Sequence, residues 1–157
     1  LKNITAIATK DAVLCIDQKN SEGVRNIVEK LIEKKIEQAE KSFKDYRPWG
    51  SFEILSKGKN FQVKKILVYP KSKLSLQSHK HRSEHWVVVN GKANVTLDDK
   101  VKIISENESV FINSGVRHRL ENLTKKTITI IEVQTGSYLG EDDIIRYDDD
   151  YNRLNSE

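Results

Sequence analysis

Polar and apolar positions change period once along this chain, near residue 50. Before that point Val24, Ile27, Val28, Leu31, Ile32 and Ile36 follow the i, i+3, i+4, i+7 spacing of an amphipathic helix, with Glu and Lys between them. Ser21 is placed to cap its first turn. Ahead of the helix, residues 4–16 (ITAIATKDAVLCI) read as two short strands about Lys10 and Asp11. The helical stripe needs an apolar partner, and the polar run from Glu37 to Lys44 leads away from it as a linker or a fraying helix end.

From Ser51 the period becomes two. Phe52–Leu55, Phe61–Tyr69, Glu84–Asn90, Ala93–Leu97, Val101–Ile104, Ser109–Ile112 and Thr127–Gln134 are short runs rich in Val, Ile, Thr and aromatics. Turn signals separate them, among them residues 57–60 (KGKN), Asp98-Asp99 and residues 105–107 (SEN). Many short strands at near-regular spacing predict a mainly β sandwich or barrel. At the junction, residues 46–50 (YRPWG) read as a defined turn with Trp49 as its anchor, because Pro fixes one backbone angle and Gly relaxes another. The acidic, then aromatic stretch from Tyr138 to Arg153 is expected to pack over one end of the barrel.

Composition narrows the class without naming it. At 157 residues, 37% hydrophobic and 32% charged, the chain is long enough for one domain with a real core. It contains no run of about 18 apolar residues, so no transmembrane helix is expected, and its start does not resemble a signal peptide. The absence of Met and the start at Leu1 predict a piece of a longer polypeptide. Cys15 has no second cysteine to pair with, which fits a reducing cytoplasm, and within AVLCI it reads as a small buried apolar residue rather than a nucleophile. A net charge of +4 and a pI near 9.0 permit an anionic partner. The lysines are scattered rather than clustered with aromatics, so a nucleic-acid surface is not expected, while a phosphorylated small molecule would need only two or three of them.

The candidate chemistry lies in residues 77–91, QSHKHRSEHWVVVNG. Gln77, His79 and His81 alternate, and residues two apart on a strand share a face. Glu84 follows a polar interruption, with Trp86 and Val88 in its phase. A Gln oxygen, imidazole nitrogens and a carboxylate suit a borderline divalent ion such as Zn, Mn, Co, Ni or Fe. His118, just after a turn containing Gly115, offers a further ligand.

These two segments resemble the paired motifs of the cupin superfamily, small β-barrels in which a first motif supplies three metal ligands and a second supplies one His. Aligned on Glu84 and Gly91, with six residues between them, the first-motif ligands fall on Gln77, His79 and Glu84, and His118 is the fourth. Two residues separate Gly115 from His118 and three separate His118 from Asn122, as in the second motif. Lys71 and Asn107 stand where these motifs usually carry Gly, and Asn113 where they usually carry Pro. With YRPWG and the tail GSYLGEDDIIRYDDDYNR added, residues 46–153 resemble the C-terminal cupin domain of the bifunctional type II phosphomannose isomerase/mannose-1-phosphate guanylyltransferase family. Asn152 departs from a usual Gly there. Residues 1–45 are similar, more weakly, to the end of that family's nucleotidyltransferase half, and residues 46–157 to its isomerase domain. The Gly-rich nucleotide loop of such a transferase is absent from this sequence.

The resemblance implies a cupin barrel with an N-terminal strand-and-helix extension, interconverting mannose 6-phosphate and fructose 6-phosphate with a divalent metal (Zn, Co, Mn or Ni). It also implies a covalently linked guanylyltransferase domain and a homodimer. Aldose–ketose conversion needs a Lewis acid, a base that moves a proton between C1 and C2, and cations for the phosphate. His81 is open to three roles: fifth ligand, proton shuttle, or polar wall of the pocket. Lys73 shares that phase and serves as base if buried, or as a solvated strand end if not. Arg82 is the first candidate for the phosphate, followed by Arg146 and Arg153. His85, out of phase with Glu84, is expected outside the ligand set, and Arg117 and Arg119 are expected to point away from the metal. Two other classes compete: a non-catalytic cupin that binds a sugar phosphate or mediates dimerisation, and a cupin oxygenase, against which Gln77 speaks because such sites usually present three His and a Glu.

Overall fold

The computed structural model describes residues 2–9, 12–20, 22–36 and 44–151. The chain divides into two compact units, Leu1–Ser42 and Phe43–Glu157. In the first, β1 (Ile4–Ala8) and β2 (Val13–Asp17) pair antiparallel, and α1 (Gly23–Glu33) follows. The helix stops three residues before Ile36, in a Schellman motif. Lys35 turns left-handed at φ 53°, its amide bonds the Ile32 carbonyl and the Ile36 amide bonds that of Leu31. Ile27, Val28 and Ile32 of the stripe remain exposed. Ser21, Lys10, Asp11 and residues 37–43 lie outside the described residues. Cys15, expected to be buried, is exposed: Leu14 and Ile16 take the half-covered face of β2, and alternation turns Cys15 to the other. None of the described helices is long and apolar enough to cross a membrane.

The described residues of the second unit are all β apart from one short turn of 3-10 helix. Its strands are β3 (Lys44–Arg47), β4 (Gly50–Lys57), β5 (Phe61–Val68), β6 (Leu76–His79), β7 (Arg82–Asn90), β8 (Lys92–Leu97), β9 (Lys100–Ser105), β10 (Ser109–Ile112), β11 (His118–Glu121), β12 (Ile128–Gly136) and β13 (Ile144–Asp148). Six form one sheet in the order β10-β7-β12-β5-β4-β3 and five the other, β13-β6-β11-β8-β9. The two sheets pack on a shared core that includes Ile66, Val68, Trp86, Val88 and Ile130 from the first and Ala93, Val95, Ile104 and Leu120 from the second. They remain two open sheets and do not close into a continuous barrel.

Two elements differ from expectation. The tail does not merely cover an end: residues 144–148 add β13 to the edge of the five-stranded sheet, paired with β6. Residues 44–47 form a strand rather than only leading into a turn, and Pro48-Trp49 is the two-residue loop to β4. Trp49 is buried in the core, and Gly50 is required beside it, since φ is +154° and an added Cβ would sit 1.8 Å from the Leu67 carbonyl oxygen. Lys71 (φ 58°) and Asn107 (φ 66°) both hold the left-handed backbone that glycine usually supplies.

Asn122 ties the end of β11 to the core. Fully buried, its Nδ2 donates to the carbonyls of Val68, Tyr69 and Lys126 at 2.8–3.0 Å, while its Oδ1 accepts from Thr124. Alanine there would strand several buried carbonyls, so Asn122→Ala is expected to cost roughly 3 kcal/mol in urea denaturation. A loss below about 1 kcal/mol would mean that water replaces the amide.

Candidate metal centre

Cross-strand register assembles the site. In the six-stranded sheet the inward residues of β5, β12 and β7 align in rows: Gln62, Gln134 and Glu84; then Lys64, Glu132 and Trp86; then Ile66, Ile130 and Val88. Each strand is therefore polar at one end of its inner face and apolar at the other. Opposite the polar end lie β6 and β11, where Gln77 and His118 are directly paired and so share a face. His79 ends β6, and the short turn at Lys80-His81 leads into β7 and Glu84.

His79, Glu84 and His118 meet between the sheets, each at most 2% exposed, with candidate ligand atoms all within 4.8 Å of one another. His79 Nε2 lies 3.0 Å from Glu84 Oε1, and His118 Nε2 lies 3.5 Å from Glu84 Oε2. These approaches are close but not aligned as hydrogen bonds: His79 Nδ1, His79 Nε2 and His118 Nε2 are all buried without a hydrogen-bond partner. His118 Nδ1 is 2.9 Å from the Val116 carbonyl, which can only accept, so Nδ1 carries a proton and Nε2 is the ring nitrogen left to face the Glu84 carboxylate. Buried ring nitrogens without hydrogen-bond partners, gathered around a carboxylate, make a setting suited to a cation. The donor set of two imidazoles, a carboxylate and the nearby Gln77 fits a divalent ion of the zinc type.

Glu84 is fixed from the other side as well. Trp86 Nε1 donates to its Oε2 at 3.0 Å and Gln134 Nε2 to its Oε1 at 2.9 Å, with Gln62 backing Gln134. Burial alone would raise its pKa, but the His118 and His79 imidazoles outweigh this and hold the carboxyl well below the usual range. Glu132 behaves oppositely. Burial and then the charge of Glu84 push it up to about 8, and it accepts a hydrogen bond from Trp86 Nε1 at 3.0 Å.

A cleft opens onto this layer. Glu84, Gln77, Glu132 and Gln134 line its floor, and Arg47, Lys64, Arg82, Glu141 and Arg146 line its walls. Of the residues singled out from sequence, Gln77, Arg82, Glu84 and Arg146 thus line the cleft, and His79 and His118 adjoin it only through their contacts with Glu84. Arg82 is buried, 3.5 Å from Glu84 Oε1, and donates through Nη1 to the Gly140 carbonyl at 2.9 Å. His81 is not brought there: β6 ends at His79, alternation fails in the turn, and the imidazole lies 44% exposed against Asp143 at 2.8 Å. Lys73 is not there either, since its ammonium pairs with Asp150 at 3.1 Å. Arg153 lies outside the described residues. His85 faces outward onto Ser109, Arg117 pairs with Asp98 and Asp99, and Arg119 with Asp148.

Lys64, Glu132, Gln134, Arg47 and Glu141 were missed by the sequence reasoning. A signal existed for three of them. Lys64 is in phase with the core residues Ile66 and Val68, and Glu132 and Gln134 with Ile128 and Ile130, so polar side chains were due to be buried there.

Comparison with known proteins agrees with this geometry. The family model described as "Mannose-6-phosphate isomerase C-terminal" matches residues 34–149. The chain is 46% identical over 153 residues to the xanthan biosynthesis protein XanB of Xanthomonas campestris pv. campestris (strain B100), covering 98% of this chain and 33% of that protein. It is 44% identical over 154 residues to the mannose-1-phosphate guanylyltransferase ManC of Salmonella typhimurium, covering 98% of this chain and 32% of that protein. It therefore spans about a third of the length of these relatives. Among solved structures, the Schizosaccharomyces pombe Cnp3 cupin domain superposes with a TM-score of 0.55 at 14% identity, over 59% of this chain and 68% of that one, a likeness of fold alone. With a family match across most of its length and a cupin architecture beneath it, this chain belongs to the mannose-6-phosphate isomerase C-terminal family.

Proposed function

We propose that this chain interconverts mannose 6-phosphate and fructose 6-phosphate with the help of a divalent metal ion. One observation carries the reading: Glu84, the carboxylate of the His79–Glu84–His118 group, is also part of the floor of a cleft walled by Arg47, Lys64, Arg82 and Arg146. Gln77, His79, Glu84 and His118 would hold the ion, and when bound it supplies Lewis acidity to the oxygens on C1 and C2.

The rest falls to this chain's own side chains. The wall cations bind the phosphate and so orient the sugar with its reacting end toward Glu84. Isomerisation moves one proton from C2 of the open-chain aldose to C1 and another from the C2 hydroxyl to the C1 oxygen; the carbon-to-carbon transfer is the one that needs a base. His81 and Lys73 point elsewhere, so we assign this transfer to Glu132, a buried carboxyl on the cleft floor. Burial and the neighbouring Glu84 set its proton affinity near neutrality, where it can both accept and return a proton.

The same proposal includes the larger protein. Residues 1–45 would be the end of a guanylyltransferase half, residues 46–157 the isomerase domain, and the whole a homodimer supplying activated mannose for polysaccharide synthesis. Support for the fused half and for polysaccharide synthesis comes from the relatives' threefold greater length and from the printed names of XanB and ManC; the homodimer stands as an expectation from the sequence.

The direct test is incubation of the chain with mannose 6-phosphate and an added divalent ion, with fructose 6-phosphate followed by NMR. Conversion is expected, and none by His79→Ala. Binding of both hexose phosphates without conversion would instead favour a non-catalytic sugar-phosphate cupin, a reading consistent with the chain's third-length span of its relatives.

A further inference from the structure

Lys64 is an ammonium placed where a strand normally puts a core residue. Its side chain is 6% exposed, its Nζ lies 4.7 Å above the Phe52 ring, and it projects into the cleft from the row that also carries Glu132. A charge so buried requires an anion. Glu141 provides one: Lys64 Nζ donates to Glu141 Oε1 at 2.7 Å. The two partners are unequally held, since the Glu141 side chain is 52% exposed and reaches in from the solvent side.

The backbone that carries Glu141 is pinned on both sides of it. Arg82 Nη1 binds the Gly140 carbonyl, and Asp143 accepts from the Lys80 and His81 amides at 3.2 Å and contacts His81 Nδ1 at 2.8 Å. The Glu141 carboxylate can therefore leave Lys64 by rotating into water while its main chain stays in place. We propose that Lys64 is a phosphate-binding cation of this cleft, and that Glu141 occupies its place as an internal anion until a phosphate monoester displaces it. This rests on the reading of the cleft as a sugar-phosphate site and adds to it a built-in competitor. Lys64 suits the role better than Arg82, whose guanidinium is already engaged by the Gly140 carbonyl and Glu84. A phosphate dianion brings more charge and more acceptor oxygens than the carboxylate it replaces.

The test is calorimetric titration of the whole chain with inorganic phosphate, with a chelator present so that only protein groups meet the anion. Glu141→Gln removes the competitor and is expected to tighten phosphate binding about tenfold, one charge-assisted interaction's worth. Lys64→Gln is expected to weaken it by a similar factor and to cancel the gain when combined with Glu141→Gln. Because Glu141 is half-exposed, its variant should fold whether or not Lys64→Gln does, and it decides the matter alone. Unchanged or weaker phosphate binding by Glu141→Gln, or no phosphate binding by any form, overturns the proposal. The isomerase reading fails separately. Phosphate affinities shifted as expected without hexose conversion would remove that reading and leave the subsite, whereas conversion with unshifted affinities would do the reverse.

Discussion

Alanine at His118 is expected to weaken binding of Zn2+ or Co2+ by more than about 100-fold, beyond the loss usual for residues that only support a ligand. The Val116 carbonyl holds a proton on Nδ1, which leaves Nε2, facing Glu84 Oε2 across 3.5 Å, as the nitrogen able to bind an ion. Remove the imidazole and Glu84 keeps His79, Trp86 and Gln134, but the ion loses one of its two nitrogen ligands. Two consequences separate a ligand from a core histidine. Added metal should raise the melting temperature of the parent chain, because only the folded state holds the ions' ligands together, and it should not raise that of His118→Ala. With a chelator present, both proteins should melt as metal-free chains and differ only by the cost of a small cavity. An equal metal-induced rise in both proteins would remove His118 from the ligand set.

The second large effect is at Glu132. Its carboxyl is raised in the fold to about 8 and returns toward 4.5 on unfolding. Between those values the folded chain holds a proton that the unfolded chain has lost, so stability falls as pH rises, by up to about 1.4 kcal/mol per pH unit. Glu132→Gln keeps an oxygen for the Trp86 N–H and removes the titration. In chelator, the melting temperature of the variant should gain steadily on the parent from pH 5 to pH 8. Glu84, Glu141, Asp143 and Asp148 are lowered in the fold, so their contributions are lost only as pH falls below the ordinary carboxylate range, outside this window. The same substitution should reduce hexose phosphate turnover by about 100-fold or more, the scale of a lost proton-transfer group. Parallel melting curves across that pH range would mean that Glu132 is ionised in the fold, and undiminished turnover would return the proton transfer to another residue.

Strand phase was the legible part of this protein. Trp86 and Val88 tie Glu84 to the inner face by alternation, and most of the predicted strands appear within two residues of their expected bounds. The same rule misled at His81, because alternation holds only while the strand continues and β6 ends two residues earlier. Strand β13 was hidden by the acidic run around it, and its place depends on an open edge at β6 that no local pattern reveals. The cleft was half legible. Alternation could have placed Lys64 and Glu132 inside, but their meeting is a matter of register between strands some seventy residues apart. Glu141 could not have been found at all, since its pairing with Lys64 depends on how the segment after β12 folds back.

The proposed role of the buried His79–Glu84–His118 group, holding the ion with which a phosphosugar turns over in the adjoining cleft, is open to one experiment: stripping the chain with a chelator and following mannose 6-phosphate conversion as a divalent metal is added back. No conversion is expected in the stripped chain, and then a linear rise that levels off at about one ion per chain, as the His79–Glu84–His118 site among the described residues implies. Equal conversion before and after stripping, or a fully loaded site with no conversion, would contradict that role.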